Sequence, residues 1–580
     1  MRALALLAIV AHILAAQRVL STVAGTSSNE AHGRFICCIG DVDGDGRSDF
    51  VLGSPNTPSA TGVSGLGSVM VRSGWTGTLL GYRLGPQNLA QLGSAVVPAG
   101  DANFDGIPDF AAGQPAFGPP SPIPTPNVSA LLILSGNGAT VIRTLPAPVG
   151  SSDFASAVAN MGDRTGDGVD DFIVGSRGSN QVFLINGFSG ATLATINGTT
   201  GTRFGCSVAA LADLTGDGIG EVAVGANLAN SPTVTSAGSV FIHDGATQAL
   251  LRTHHGVFAQ DYFGATLASL PDVNGDGVGD YAFGSPSADL NAAVNVGVVE
   301  VHSGATGQPL WVRYGTQSYT SATVTNIGEG LGYAIASVGD VNLDGIADLG
   351  VGALGWNEPG LEDCGRILVL SGSNGAELGA LVGTVAEDGV GSGASALGDL
   401  DLDGFPEVLV GTRGHDTSTL TNVGRVDAVA FGPFLGACAA GGNSVVFLDV
   451  NGSTGGPARR VDIPMASPIT ISMTNLSMSP LPAHFVLAAK VGLPTAADVF
   501  PLAGVGSMCF PPALFAQWDP TLFILASSIP GVGELIPATS ASWNISIPPL
   551  GFALPVALQP VVLFTPATAF VANAVLVQTY

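Results

Sequence analysis

The stretch FGATLASLPDVNGDGVGDYAFGSP, residues 263–286, decides the fold of this chain. It opens with Phe263-Gly264, crosses a short apolar segment and reaches an acidic loop from Asp272 to Asp280. An apolar run follows and ends in Gly284-Ser285-Pro286. The acidic loop has the form D-x-(D/N/T)-x-D-G-x-x-(D/E) and recurs at intervals of 50–68 residues, beginning at Asp41, Asp101, Asp163, Asp213, Asp272, Asp340 and Asp399. Such a period, kept through seven copies, indicates a repeat architecture.

Each repeat carries the signals of four short strands. A small apolar segment such as Cys206 to Ala210 precedes the loop, and a run such as Phe172-Ile173-Val174-Gly175 follows it. Short runs that are apolar throughout are typical of strands buried on both faces. An alternating strand such as Val240 to Gly245 comes next, and a fourth such as Leu250 to His255 completes the unit. Four-stranded units repeated around an axis predict an all-β fold, a seven-bladed β-propeller.

The seventh repeat lacks its own fourth strand. After Val426 to Phe431 the chain turns into Gly432-Pro433 and leaves the pattern. At the other end, Val19 to Gly25 precedes His32-Gly33 by the offset that separates fourth strands from the next repeat. We therefore expect this N-terminal strand to complete the last blade, which removes an edge open to aggregation.

The acidic loops are predicted to bind calcium. Oxygen-bearing side chains occupy positions 1, 3, 5 and 9, and glycine at position 6 allows a sharp turn. Flexible, all-oxygen coordination favours calcium over zinc or copper, so up to seven Ca²⁺ ions are expected. The predicted ligands are Asp41, Asp43, Asp45, Asp49, Asp101, Asn103, Asp105, Asp109, Asp163, Thr165, Asp167, Asp171, Asp213, Thr215, Asp217, Glu221, Asp272, Asn274, Asp276, Asp280, Asp340, Asn342, Asp344, Asp348, Asp399, Asp401, Asp403 and Glu407.

Two other interpretations of these loops fit the sequence less well. An EF-hand requires a glutamate at position 12, whereas that position is apolar in all seven loops, so this interpretation is excluded. Plain acidic turns also use Asp, Asn and Gly, but turn chemistry does not require acids at positions 1, 5 and 9 together. Thr165 and Thr215 are weaker neutral ligands, which predicts the weakest binding in the third and fourth blades.

The charge of the chain agrees with metal binding. The formal net charge is −26, from 44 acidic and 18 basic residues, and 23 of the acids lie at the predicted ligand positions. Such a balance excludes a nucleic-acid partner, since no basic patch is available to neutralise phosphates. No internal apolar stretch reaches the roughly 18 residues expected of a membrane-spanning helix.

The repeat resembles the FG-GAP repeat of integrin α-subunits. Phe263-Gly264, the loop Asp272 to Asp280 and Gly284-Ser285-Pro286 show the pattern most fully, and the resemblance covers about residues 18–431. It implies a seven-bladed propeller with calcium in the loop between the first two strands of a blade. This chain differs by carrying the loop in all seven blades and by having no inserted domain. Integrin ligand specificity is therefore not transferred.

The regions flanking the repeats suggest export and a second domain. Residues 1–16 have a basic start, an apolar run and small residues at the end, which predicts a signal peptide; a buried or anchoring segment is the alternative. We expect the propeller over residues 17–431, a linker over 432–443 and an antiparallel β-sandwich over 444–580, because alternating segments there are separated by Pro-rich turns.

The six cysteines show no C-x-x-C spacing, and Cys438 and Cys509 are candidates for a disulfide.

The predicted function is that of an exported, non-catalytic binding or adhesion protein, secreted or at the cell surface, with an unidentified protein or glycan as its partner. No catalytic residue is assigned, because the G-x-S-x-G and H-E-x-x-H motifs are absent. The alternative is a secreted carbohydrate-active enzyme, a polysaccharide hydrolase or lyase on the same scaffold.

Trp356 with Glu358, in a variable loop, is a candidate ligand surface; the alternative is that Trp356 packs on its own blade. His254-His255 are interpreted as surface histidines.

Overall fold

The computed structural model describes residues 18–58, 65–86, 89–116, 129–290, 293–318, 328–342, 344–401 and 404–431, together with the backbone of strands between 446 and 579. Through residue 431 the described chain forms seven four-stranded antiparallel sheets. The structure therefore confirms the predicted all-β, seven-bladed propeller. No segment of the described chain is a helix long and apolar enough to cross a membrane.

Each blade has four strands, called a, b, c and d from the innermost to the outermost. The acidic loop joins strands a and b. Blade one contains β2 (Phe35–Gly40), β3 (Asp49–Ser54), β4 (Ser68–Arg72) and β5 (Leu79–Leu84). Blade two contains β6 (Val96–Pro98), β7 (Phe110–Gln114), β8 (Ala130–Leu134) and β9 (Val141–Pro146). Blade three contains β10 (Phe154–Asn160), β11 (Phe172–Ser176), β12 (Gln181–Ile185) and β13 (Thr192–Asn197). Blade four contains β14 (Ser207–Ala210), β15 (Val222–Ala226), β16 (Ser239–His243) and β17 (Leu250–His255).

The remaining three blades follow the same plan. Blade five contains β18 (Thr266–Ser269), β19 (Tyr281–Ser285), β20 (Val298–His302) and β21 (Pro309–Tyr314). Blade six contains β22 (Leu331–Gly339), β23 (Asp348–Ala353), β24 (Arg366–Leu370) and β25 (Glu377–Val382). Blade seven contains β26 (Val390–Gly398), β27 (Glu407–Thr412), β28 (Arg425–Ala430) and, as its fourth strand, β1 (Arg18–Ala24). Every b strand is buried along its whole length.

The ring closes as the sequence predicts. Strand β1 lies beside β28, so the last blade contains strands from both ends of the repeat region. Thr22 of β1 donates a hydrogen bond from Oγ1 to Asp427 of β28 over 2.8 Å, and Gly25 N–H donates to the carbonyl of Gly424 over 3.0 Å. This arrangement gives the seventh blade a full set of four strands without an additional segment.

Neighbouring blades touch through glycine. The glycine near the end of each b strand approaches the backbone carbonyl of a glycine or alanine that lies in, or up to three residues before, the first strand of the next blade. A Cβ built at Gly175 would lie 2.2 Å from the oxygen of Gly205, closer than any side-chain carbon tolerates. The equivalent pairs are Gly53 with Gly93, Gly113 with Ala155, Gly225 with Gly264, Gly284 with Gly332, Gly352 with Gly391 and Gly411 with Gly33. The glycine of the b strand is therefore required by the packing of one blade on the next, whereas the partner position also accepts alanine, as Ala155 shows.

The hydrophobic core lies between blades. One cluster joins Leu131 and Ile133 of blade two to Phe154, Phe172 and Phe183 of blade three, all nearly or fully buried. The rings of Phe154 and Phe183 meet edge to face with centroids 5.9 Å apart. Valine, leucine, isoleucine and alanine make up most of the core, and no blade buries its apolar faces alone.

The C-terminal strands belong to a compact unit separate from the propeller, which comprises Val19–Leu400 and Pro406–Phe431. Four of them pair in the order β30 (Ser453–Thr454), β29 (Val446–Val450), β32 (Ile469–Asn475) and β38 (Ser542–Ile547). A larger sheet contains β31 (Arg460–Ile463), β41 (Val575–Thr579), β39 (Pro555–Phe564), β33 (Ala483–Val491), β36 (Leu522–Ser527) and β37 (Glu534–Leu535), with β40 (Thr568–Val571) beside β39. Strands β34 (Phe500–Leu502) and β35 (Gly506–Met508) form a hairpin.

This region is built of strands, as predicted. Its pairs are antiparallel except β31 with β41 and β36 with β37, which are parallel and were not anticipated. The predicted signal peptide and linker lie outside the described residues, as do the side chains of Cys438 and Cys509. Cys37, Cys38, Cys206 and Cys364 are free thiols.

Replacing Gly175 with alanine should destabilise the propeller by about 3 kcal/mol, because the new methyl group overlaps a backbone carbonyl that cannot move aside. Urea unfolding followed by far-UV circular dichroism measures the change. Gly201→Ala is the control, since a Cβ there meets no atom within 4 Å and its cost is limited to the φ of +82°. Equal destabilisation by the two variants would show that the contact between blades does not explain the glycine.

Candidate metal-binding loops

Each acidic loop joins strands a and b of one blade. The residue at its second position is apolar and buried in five of the seven loops, and it anchors the loop on the core. These anchors are Val42, Ala102, Val273, Val341 and Leu400. The side chains on either side of the anchor consequently point away from the core, as alternation in an extended segment requires.

The position-1 carboxylate organises the turn. In the fifth loop, Asp272 Oδ1 accepts the N–H of Gly275 over 2.7 Å, and its Oδ2 accepts the N–H of Gly277 over 2.7 Å. These backbone donors lower the pKa of Asp272. The equivalent bond to the position-6 glycine is made by Asp41, Asp101, Asp163, Asp213 and Asp340. The position-1 carboxylate thus fixes the turn of the loop by accepting backbone N–H groups.

The position-9 carboxylate has a second role that the sequence did not reveal. Asp280 is almost fully buried; its Oδ2 accepts the N–H of Val273 over 2.8 Å and its Oδ1 accepts the N–H of Gly304 over 2.8 Å. Gly304 begins the turn between strands c and d, so this side chain ties the acidic loop to a second turn of its blade. Asp49, Asp109, Asp171 and Asp348 make the same pair of contacts, with Gly74, Gly136, Gly187 and Gly372.

Burial acts against the charge of these carboxylates. It raises the pKa of Asp49, Asp109, Asp171 and Asp280, although backbone donors partly oppose the shift. For Asp348, burial raises the pKa to about 6 despite the backbone donors, and the charges of Asp344 and Asp340 add to the effect. A bound cation would favour the ionised form of all these groups.

The structure brings the predicted ligands together to different degrees. In the first loop, one oxygen each of Asp41, Asp43 and Asp49 lie within 4.8 Å of one another, and in the seventh loop the same holds for Asp399, Asp401 and Glu407. Asp45 is exposed and bonds to the N–H of Arg47 instead. Asp403 lies outside the described residues.

The other five loops carry an amide or hydroxyl at position 3. Among their described residues, no three carboxylates have oxygens within 4.8 Å of one another. Asn103 and Asn342 each donate to the position-5 carboxylate of their own loop. In the third loop, Asn186 of the c–d turn donates to Asp167 over 2.5 Å and to Thr165 over 2.8 Å. Asn186 was missed from the sequence because it lies outside the loop.

The first loop has the donor chemistry that calcium prefers. Calcium takes six to eight oxygen ligands at about 2.3–2.6 Å, so oxygens that share one ion lie up to about 5 Å apart. The spacing of Asp41, Asp43 and Asp49 falls within that limit. The residues present therefore fit a hard divalent cation.

Trp356, the candidate ligand-surface residue, packs on its own blade. Its ring stacks on Arg366, with the guanidinium carbon 3.4 Å from the ring centre, and its Nε1 donates to Glu358 over 2.9 Å. Arg366 in turn forms a buried ion pair with Glu329. This packing corresponds to the second of the two interpretations of Trp356.

His254 is not an ordinary surface residue, contrary to the sequence interpretation. Its ring lies against Phe283 and His302 of the next blade, with centroids 5.1 and 4.6 Å away, and its Nε2 lies 3.3 Å from the hydroxyl of Tyr281. Burial, with the nearby charges of His302 and Arg252, lowers its pKa to about 3. His254 therefore contributes to the contact between blades four and five as a neutral imidazole.

Comparison with known proteins places the repeat in a family. The model described as FG-GAP-like repeat matches residues 163–224, which run from the third acidic loop into strand β15. Integrin alpha-IIb of Mus musculus is 32% identical over 202 residues, and integrin alpha-3 of Cricetulus griseus is 27% identical over 201 residues; each match covers 32% of this chain and 18% of the relative. Integrin alpha-V of Gallus gallus is 28% identical over 169 residues, covering 28% of this chain and 15% of the relative.

These matches and the seven blades define the class: the chain is a seven-bladed β-propeller protein that contains an FG-GAP-like repeat at residues 163–224. Among proteins of that class, it is similar to integrin α-subunits. The matched segments span less than one fifth of the length of these relatives.

Replacing Asp280 with asparagine should lower the free energy of unfolding by about 1–3 kcal/mol even in chelator, because a buried amide group then faces a backbone N–H. Asp276→Asn is the matched control, since that exposed position-5 side chain keeps an oxygen for the N–H of Val278. Chemical unfolding in EDTA measures both variants. Equal stability would mean that position 9 acts through the metal alone.

The low pKa of His254 predicts an acid-dependent loss of stability. In the unfolded chain His254 has a pKa of about 6.5, whereas in the folded protein its pKa is about 3. Between these two values the unfolded state binds a proton that the folded state does not, so the contribution of His254 to stability is complete above about pH 6.5 and is lost as the pH falls toward 3. His254→Gln should therefore lose less stability than the unmodified protein between pH 7.5 and 4.5, measured by urea unfolding in chelator. His255→Gln, which removes the exposed neighbouring imidazole, is the control. If His255→Gln retains as much stability as His254→Gln, the half-buried imidazole of His254 is not the cause.

Proposed function

We propose that this protein is an exported, calcium-binding FG-GAP propeller that acts as a non-catalytic binding or adhesion protein, secreted or at the cell surface. The observation that carries the proposal is the first acidic loop, where the carboxylates of Asp41, Asp43 and Asp49 converge on one point. The same loop pattern at seven places supports up to seven Ca²⁺ ions. The similarity to integrin α-subunits supports a location outside the cytoplasm.

Calcium would stabilise the loops by an electrostatic mechanism. In the first loop three carboxylates are held together, and like charges in close contact repel one another. A divalent cation between them replaces repulsion with attraction, and seven such ions would change the formal charge from −26 to −12. Loops of this kind bind at micromolar to millimolar calcium, so the weaker sites would need the calcium supply found outside cells.

The rigid ring would then present variable loops to a partner. The connections between strands b and c and between d and the next a lie opposite the acidic loops, because antiparallel strands alternate in direction. Recognition commonly resides in loops held by a rigid scaffold. The partner would be a protein or a glycan outside the cell.

Removing calcium should lower the melting temperature of the purified protein. A ligand at 100 times its dissociation constant stabilises the fold by about 2.7 kcal/mol per site, so loss of several sites should be evident by calorimetry in EGTA. Elemental analysis should find up to seven calcium ions per chain, and the double replacement of Asp41 and Asp43 by asparagine should remove one. Absence of bound calcium together with an unchanged melting temperature would contradict the metal assignment.

A polysaccharide-degradation screen tests the non-catalytic part of the proposal. Incubation of the calcium-loaded protein with a panel of polysaccharides should release no reducing sugar, whereas a glycan and protein-ligand array should show binding. Sugar release would support the alternative, a carbohydrate-active enzyme on the same scaffold.

A further inference from the structure

A cavity of about 700 Å³ lies at the centre of the propeller, where residues from the first strands of all seven blades meet. Its volume falls within the range of about 300–1,000 Å³ that is typical of sites for small ligands. Its lining includes Phe35, Ser94, Ser156, Ser207, Thr266 and Tyr333. All of its described walls belong to the propeller unit.

Three arginines mark one end of this cavity. Arg34 immediately precedes β2, whereas the acidic loop of that blade follows β2. Arg177 immediately follows β11, and Arg413 immediately follows β27. The acidic loops of these two blades lie at the other end of the same strands, just before them in the chain. A strand of six residues is about 20 Å long. The arginines therefore lie at the end of the cavity remote from the predicted calcium sites.

The charge of the lining is opposite to that of the chain. Acidic residues outnumber basic residues by 44 to 18 in the sequence, yet the residues described around the cavity include these three arginines and no carboxylate. Arg177 lies 3.6 Å from Asp153. Among the described residues, Arg34 and Arg413 form no ion pair with a carboxylate. Burial raises the pKa of Asp363 and the charge of Arg413 opposes that rise, but the two side chains form no ion pair.

Tyr333 holds two of the arginines in place. The guanidinium carbon of Arg413 lies 5.4 Å from the centre of the Tyr333 ring, and that of Arg34 lies 5.8 Å from the same point. Arg413 also donates from Nη1 to the hydroxyl of Tyr333 over 3.0 Å. Two cations are thus fixed beside one ring, and their planar donor groups match the geometry of carboxylate and sulfate.

The remaining polar lining suits a ligand rich in hydroxyl groups. Asn56, Gln91 and Ser94 line the same cavity. Asn56 is exposed and Gln91 is partly exposed, so their side-chain amides are open to a ligand in the cavity. Each amide offers both a donor and an acceptor, which suits sugar hydroxyls.

We propose that this central cavity binds an acidic sugar, a short saccharide that carries a carboxylate or sulfate group. Arg34 and Arg413 bind the anionic group, Arg177 adds to the positive potential, and the amides of Asn56 and Gln91 bond to sugar hydroxyls. The inference rests on the proposed binding function and gives it a site and a ligand class. The positive lining favours an anion over a neutral sugar by charge attraction, and because Arg34 is exposed and Arg413 is only partly buried, this attraction weakens with salt.

Isothermal titration of the calcium-loaded full chain tests the site. The probes are trigalacturonic acid, a sulfated trisaccharide of galactose, the unsubstituted galactose trisaccharide and sodium sulfate. At least one acidic sugar should bind more than tenfold more tightly than the neutral sugar, and more weakly at high salt. Binding of only the carboxylated or only the sulfated sugar identifies the source of the anionic group, whereas tight binding of sodium sulfate alone would overturn the requirement for a sugar.

Variants connect binding to the cavity. Arg34→Gln and Arg413→Gln should each weaken acidic-sugar binding by tenfold or more with an unchanged melting temperature. Arg143→Gln is the matched control, because Arg143 also stacks on an aromatic ring, that of Phe188 at 4.7 Å, but does not line the cavity. No binding of either acidic sugar, equal binding of the neutral sugar, or equal affinity in the cavity variants would overturn the proposal. The melting temperature in EGTA, measured on the same samples, separates this failure from a failure of the calcium assignment.

Discussion

The close approach of glycine to a backbone carbonyl between adjacent blades is the contact on which the rest of the propeller depends. It recurs at every blade junction, including the junction of Gly411 with Gly33 that closes the ring. Because no side chain fits between the two backbones, the b strand of one blade lies directly against the first strand of the next. The apolar side chains on either side then meet across the junction, and the core forms between blades.

The acidic loops depend on that packing as well. In five loops the second residue is anchored in the core, and in five the last carboxylate is buried beneath the loop, where it bonds to two backbone turns. These contacts shape the loop before any cation is considered. The same carboxylate can also serve the proposed metal site, because an ionised carboxylate offers about four lone pairs and the two backbone donors occupy only two. In five blades the proposed calcium affinity would therefore be coupled to the structure through one residue.

The two faces of the ring differ in chemistry because of strand direction. Every a–b connection lies on one face and carries the acidic side chains, whereas the arginines lie at the opposite ends of the same strands. A chain with a large net negative charge thus contains a positively lined cavity. Separation by the length of a strand keeps the arginines from being neutralised by the loop carboxylates. The proposed cation sites and the proposed anion site therefore lie at opposite ends of the inner strands.

The sequence by itself determined the number of blades, the four strands of each, the closing role of β1 and the positions of the acidic loops, because all of these are local patterns repeated at a regular interval. Only the tertiary structure decided which residues meet outside the repeated pattern, both within one blade and between blades. The contact of Asp280 with Gly304, the packing of His254 between blades and the gathering of Arg34 with Arg413 around Tyr333 depend on it. The two arginines are 379 positions apart, and no periodic pattern links them, so only closure of the ring brings them together.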